Sequence, residues 1–338
     1  MTKALTSRIG WIDTAKGIGL LCVILGHLSI PYLDMWIYFF HMPLFFFLSG
    51  FVFSGRKYDF ATFLKKKVRS LVIPYFTLGS GIFLFFCIVY ALEGRPAGEY
   101  LEMLRNFLVQ EHYWTVWFLA CLFLTELIAY GIHAAFPEKP LAADAVSIAL
   151  CGFGLLRYRL GWGSLPWNVD VALVAQFFFR AGFRFKAVEP KLAAFDRLKW
   201  LPRLVICGGL MIGNFILGYI GIRVGGAFLD MSVGIYGSEI FTFLSAFTGI
   251  LGVILFARMV EWKWLRWLGR NTMVIFGWHS RIVIVACGYL YAHLGLFQSG
   301  GLVDTLGSAA CTFVIIFALL VPATHLVKRS RVHGLFGL

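Results

Sequence analysis

The sequence predicts an all-α, polytopic integral membrane protein of about ten transmembrane helices, with both termini in the cytoplasm. Three observations predict it. Of the 338 residues, 60% are hydrophobic and only 14% charged, where a soluble globular chain carries roughly a quarter charged residues. Apolar runs such as Gly17 to Pro31, Ile37 to Phe53, Trp117 to Tyr130 and Ile240 to Phe256 recur, most approaching the roughly 20 residues that cross a ~30 Å hydrocarbon core. Finally, the basic residues alternate between segments in the way that membrane topology requires.

In chain order the spans fall near 9–31, 34–54, 70–93, 114–136, 142–157, 167–184, 203–222, 236–258, 272–294 and 303–327. With a cytoplasmic N-terminus, the inner segments collect Lys3 and Arg8, the 56–69 cluster, Lys139, the stretch from Arg184 to Arg203, the stretch from Arg258 to Arg270, and Lys328, Arg329 and Arg331. The outer loops hold Arg95, Arg105, Arg157, Arg159 and Arg223. That bias obeys the positive-inside rule, and it accounts for the net charge of +13 without nucleic acid, which needs a soluble basic patch with readout elements. The outer segment from Glu93 to Tyr113, with Glu93, Glu99, Glu102 and Glu111, and the inner one from Asp59 to Arg69 read as amphipathic helices along the surface. No repeat or soluble linker divides the chain, so residues 1–338 are expected to form one membrane-embedded domain. A cleaved leader is not expected, because the first run carries Asp13 and Lys16 and continues into the second without a small-residue cleavage site. The seven cysteines lie singly in apolar runs, as small buried hydrophobes.

Charge inside a bilayer is costly, so intramembrane polar residues carry most of the functional information. The first span holds Asp13, Lys16 and His27. Eleven steps from Lys16 to His27 make almost three helical turns, so both project from one face, ~16 Å apart along the axis. Asp13 lies one turn before Lys16 and can pair with it. A short turn near Tyr32 to Asp34 makes the second span an antiparallel neighbour, which brings His41 to the depth of His27. Two imidazoles near neutrality can take a proton from a hydroxyl and return it to a leaving thiolate. A snorkelling Lys16 and histidines satisfied in the core form the structural alternative. A metal-bound histidine pair has no carboxylate or cysteine to complete its ligands, so no metal is expected.

The segment Ile12-Asp13-Thr14-Ala15-Lys16-Gly17-Ile18, with ten residues between Lys16 and His27, resembles the basic-x10-His signature of the acyltransferase 3 family of membrane-bound acyltransferases. The stretch Phe40-His41-Met42-Pro43-Leu44-Phe45-Phe46-Phe47-Leu48-Ser49-Gly50-Phe51 is similar to the second helix of the family's fucose 4-O-acetylase-like branch. Lys66 and Arg69, before Leu71-Val72-Ile73-Pro74-Tyr75, resemble its Arg-x-x-Arg motif, with Lys in place of the first Arg. Trp117-Phe118-Leu119 and His279 look like later landmarks.

The resemblance implies an O-acyltransferase of the bacterial inner membrane. It would move an acyl group, usually acetyl, from cytoplasmic acetyl-CoA to a sugar hydroxyl of a surface polysaccharide or polyprenyl-linked oligosaccharide, alongside polysaccharide-assembly machinery. His27 is then the essential catalytic residue, grouped with His41 and Asp13. Lys16, Lys66 and Arg69 bind the donor, and His279, placed in the inner half of the ninth span, lines the donor path. The exchange of Arg for Lys alters bidentate phosphate recognition. A competing class, a multi-pass transporter of a sugar or acyl compound, would show inverted repeats and broken midplane helices, and the sequence displays neither. Glu126 and Glu239 are expected as lone intramembrane carboxylates, Trp114 and Trp117 as interface-belt residues, and Gly208-Gly209 and Gly225-Gly226 as packing or turn glycines.

Overall fold

The structure is a computed structural model that describes residues 9–55, 57–110, 115–260 and 262–338. Lys3, Arg8, Arg56, Glu111 and Trp114, which entered the charge and interface reading, lie outside the described residues. The rest is a bundle of helices: α1 (Gly10–Gly26), α2 (Leu33–Tyr38), α3 (His41–Val52), α4 (Phe60–Lys67), α5 (Ile73–Leu92), α6 (Ala97–Val109), α7 (Trp117–Ala135) and α8 (Pro140–Arg159), followed by α9 (Val169–Phe185), α10 (Ala193–Asp196), α11 (Trp200–Gly225), α12 (Glu239–Met259), α13 (Lys263–Arg270), α14 (Thr272–Trp278), α15 (Val285–Leu294) and α16 (Leu302–Arg329). Among the described residues, extended pairing is limited to one bridge between Asp230 and Ile235. The protein is therefore an all-α, polytopic membrane protein, as its composition requires.

Among the described residues, eight helical stretches are long and apolar enough to cross a membrane. Each of the ten apolar runs carries a helix, but α1 and α9, at 17 residues each, fall short of that length. Seventeen residues rise about 26 Å, less than a full hydrocarbon core. For α1 the reason is visible in its surroundings: it packs against α12, α13, α2, α3 and α14, so protein rather than lipid solvates most of it.

Glycine makes those close approaches possible. A Cβ on Gly17 would stand 2.2 Å from the Leu265 carbonyl oxygen, and one on Gly269 1.7 Å from that of Asp13. The α3/α9 crossing is built the same way, with Gly50 against the Phe179 carbonyl at 1.8 Å and Gly182 against that of Phe47 at 1.9 Å. Small residues let helix backbones meet where lipid offers no hydrophobic drive for association. Gly208 and Gly209, by contrast, face open space within α11, so they do not pack within this chain. Polar contacts supply the second kind of join: Asn214 of α11 donates to the Ser245 carbonyl of α12 at 2.7 Å and accepts from Trp36 Nε1 at 2.7 Å.

The two expected surface helices turn out differently. Residues 97–109 form α6, with Met103 and Phe107 buried and its other face exposed. Tyr75 fixes it, donating to the Phe107 carbonyl and lying 3.0 Å from Gln110 Oε1. Helix α4 is capped by Asp59, whose carboxylate accepts from the Thr62 amide at 2.9 Å and hydroxyl at 2.8 Å and is thereby held below its usual pKa range. It does not lie apart on the surface but continues into α5 through a π turn at Val68–Val72. Pro74 explains the widened turn, since its ring would clash with the carbonyl four residues earlier, at Ser70, and it cannot donate to it.

Three sequence readings are corrected in the same way. Glu126 is not alone but forms an ion pair with Lys67, and Glu239 pairs with Arg159 at the start of α12. Cys311 is exposed on α16 and Cys22 and Cys87 are half-buried, so the cysteines are not uniformly buried.

Candidate active site

Lys16 and His27 occupy the two ends of one helix. Lys16 is half-buried near the start of α1, at what we call the basic end of the bundle, and His27 is the residue that closes it at the other end. His27 Nδ1 lies 2.7 Å from the Val23 carbonyl. A carbonyl only accepts, so Nδ1 carries the proton and Nε2 keeps the lone pair of the neutral ring.

The second apolar span is not one continuous helix. It breaks at Phe39 and Phe40, and His41 is the first residue of α3. His41 Nδ1 lies 2.9 Å from the Ile37 carbonyl, which sets the same tautomer. The loop before α2 runs through Ser29 and Tyr32 in the left-handed region, at φ 54° and 62°, and turns the chain sharply enough for both histidines to line one cavity of about 330 Å³.

A third histidine joins them. The ring of His279 meets that of His27 edge to face with centroids 5.0 Å apart. His279 opens a π turn at His279–Ile284, is fully buried, and donates Nδ1–H toward the Phe276 carbonyl at 2.8 Å. Its Nε2 is buried without a hydrogen-bond partner. The structure sets His279 against His27 while keeping it in the half of its span, Thr272–Leu294, nearer Arg270 and Asn271. All three histidines therefore stand at interruptions of regular helix. Irregular backbone within a bilayer is tolerated where it lines a cavity in the protein, and π turns gather at functional sites.

The cavity wall adds Tyr38, Thr115, Trp117, Asp230, Ser280 and Arg281. Trp117, expected at a membrane interface, is instead 6% exposed and faces this cavity. Asp230 and Arg281 act on the His27 ring with charges of opposite sign. Asp230 sits in the loop before α12, where it accepts from the Ser232 amide at 2.9 Å and hydroxyl at 2.6 Å. The sequence reading passed over it. The signal was available, because Asp230 is the single charged residue between Arg223 and Glu239.

Three expected site residues lie elsewhere. Asp13 is at the basic end, buried, with Arg270 Nε at 2.7 Å. Fourteen residues of helix, ~21 Å of rise, separate it from His27, so the structure does not bring it together with the histidines lining the cavity. Lys66 and Arg69, expected on one face, diverge. Lys66 Nζ lies 3.3 Å above the Tyr58 ring, whereas Arg69, beyond the start of the π turn, reaches toward Gly334 near the C-terminus. The charge of Lys16 acts on Glu126, the partner of Lys67. Among the described residues, no three His, Cys, Asp or Glu side chains converge as metal ligands would.

A family model described as an acyltransferase domain, acyltransferase 3, matches residues 9–324. No curated protein and no solved structure matches the chain.

Proposed function

The chain belongs to the acyltransferase 3 family and is a membrane-bound acyltransferase, and from that premise we propose that it moves an acetyl group from acetyl-CoA to a sugar hydroxyl, with His27 as general base. The acceptor is a surface polysaccharide or a polyprenyl-linked oligosaccharide, and the protein works in a bacterial inner membrane beside polysaccharide-assembly machinery. The observation that carries the reading is the hydrogen bond from His27 Nδ1 to the Val23 carbonyl, which leaves Nε2 as the base on a residue lining the cavity.

In this reading His27 Nε2 takes the proton of the acceptor hydroxyl while its oxygen attacks the thioester carbonyl. A tetrahedral oxyanion forms next to Arg281, whose positive charge stabilises it. The carbon–sulfur bond then breaks, and the thiolate recovers the proton from the His27 imidazolium, giving the ester and free CoA. Asp230 favours that transient imidazolium by its opposite charge. His41 and His279 are neutral neighbours that shape the cavity and hold the ring of His27. Lys16 stands on the donor side, and the positive-inside bias puts the basic end in the cytoplasm, so donor and acceptor reach the cavity from opposite faces.

The test is acetyl transfer from labelled acetyl-CoA by membranes containing wild-type protein or His27→Ala, with mass spectrometry of the host's surface glycans. Loss of transfer and of an acetyl increment, with insertion unchanged, is expected. Retained transfer by the variant overturns the reading.

A further inference from the structure

We propose that a cationic cavity at the foot of α14, separate from the histidine cavity, is the seat of the donor's phosphorylated nucleotide. The inference rests on the acyl-CoA reading above and names where its anionic end is held. Lys263, Arg266 and Arg270 of α13, Lys328 of α16, Trp267 and Asn271 surround a cavity of about 510 Å³. No acidic side chain lines it among the described residues. Asp13, from α1, holds Arg270 in place. The neighbouring cavity, which shares Arg266, is different: Glu189 and Asp196 line it and both pair with its Arg258, so carboxylates already occupy that cation.

Lys263, Arg266 and Lys328, beside the Asp13-paired Arg270, suit phosphate groups, which bind through charge-assisted hydrogen bonds. Trp267 gives the wall a flat aromatic surface, stacked on His325 with centroids 5.0 Å apart and planes at 24°, as a purine would need. Position separates this cavity from a generic basic rim. Arg270 and Asn271 directly precede α14, and His279 directly follows it. Eight residues from Asn271 to His279 rise ~12 Å, and fourteen from Asp13 to His27 rise ~21 Å. A flexible pantetheine arm anchored here by its phosphates would point its thioester along these two helices toward the His27 and His279 rings. The Lys66 and Arg69 pair expected from the sequence does not line this cavity, although Arg69 reaches Gly334, four residues before Leu338 on the cavity wall.

The experiment uses full-length protein in uncharged detergent, wild type and Lys263→Gln/Lys328→Gln, both residues being exposed, with Lys263→Arg/Lys328→Arg as the charge-conserving control. Equilibrium binding of adenosine 3′,5′-bisphosphate is expected to weaken at least about tenfold in the Gln pair, the effect of losing one charge-assisted hydrogen bond, and to be largely restored in the Arg pair. In turnover the KM for acetyl-CoA rises by a similar factor at unchanged kcat, and the preference of wild type for acetyl-CoA over its 3′-dephospho form shrinks. Unchanged binding in the Gln pair overturns the proposal. So does displacement of the nucleotide by no more than stoichiometric phosphatidylglycerol, which would make the cavity a lipid-headgroup site. Nucleotide binding that follows the lysines while wild type transfers no acetyl group overturns the functional reading and leaves this site standing.

Discussion

The rings of His27 and His279 meet at 5.0 Å with their planes at 84°, across an interface between the end of the first helix and the π turn of the penultimate one. Each ring is tied through Nδ1 to a carbonyl of its own preceding turn, so neither can rotate without losing that bond. The His279 ring thus acts as a fixed wall for the His27 ring. Replacing His279 by Ala removes the wall and gives the His27 side chain new rotamers. We expect kcat to fall by about 10-fold to 100-fold, the scale at which a loosened general base loses efficiency. Steady-state kinetics check it, with the KM for the donor as the quantity that stays near wild type.

The opposed charges of Asp230 and Arg281 around His27 yield a second expectation. Arg281→Gln should lower kcat by about 10²-fold to 10³-fold, as the loss of an oxyanion donor does. Asp230→Asn should have a smaller effect in the same direction, because it weakens support for the imidazolium without removing a reacting group. Rate measurements on both variants decide it, and an Asp230→Asn enzyme faster than wild type would contradict the role given to this carboxylate.

The backbone contact between α1 and α13 leaves no room for a methyl group. Gly269→Ala should force the two helices apart and cost about 1–3 kcal/mol, the usual penalty for overpacking. Gly208→Ala, with open space around it, should be near neutral. A thermal-shift comparison of the two purified variants reads the difference.

Lys67 and Glu126 form an ion pair in which the Glu126 side chain is 6% exposed and the Lys67 side chain 27%. Lys67→Met leaves the buried Glu126 without this partner and should destabilise the fold by about 3 kcal/mol. The double variant Lys67→Met/Glu126→Gln should be more stable than that single one, since no charge is then stranded. Denaturation of wild type, Lys67→Met, Glu126→Gln and the double variant in one detergent closes the cycle.

How far these features were legible in the sequence depends on the range of the forces behind them. The ten apolar runs could be read because hydrophobicity and a 1.5 Å rise per residue act locally. The Lys16 to His27 spacing could be read for the same reason, as both lie on one helix. The contact of Asp13 with Arg270 could not, because Arg270 is 257 residues away. Nor could the meeting of His279 with His27, which depends on how α14 packs against α1. Of the helix interruptions, the turn at Val68–Val72 has a local cause in Pro74, whereas His279–Ile284 contains neither proline nor glycine, and the break at Phe39–Phe40 falls in an aromatic run that reads as continuous helix. Asp230 was visible as an isolated charge, but its approach to His27 is a property of the folded loop.

The ion pair that closes the basic end of α1 also sets an order of events during synthesis. Helix α1, which leaves the ribosome before α13, carries Asp13 and Lys16 and is short for the bilayer it enters. Its close-packed neighbour α13, with Arg270, emerges only after most of the chain. Until then α1 lacks the Arg270 guanidinium and its glycine-lined groove, so its final seat is a late product of assembly. The histidine cavity, which needs both α1 and the π turn after α14, is completed at that same late step, and chains interrupted before α13 should lack a working centre.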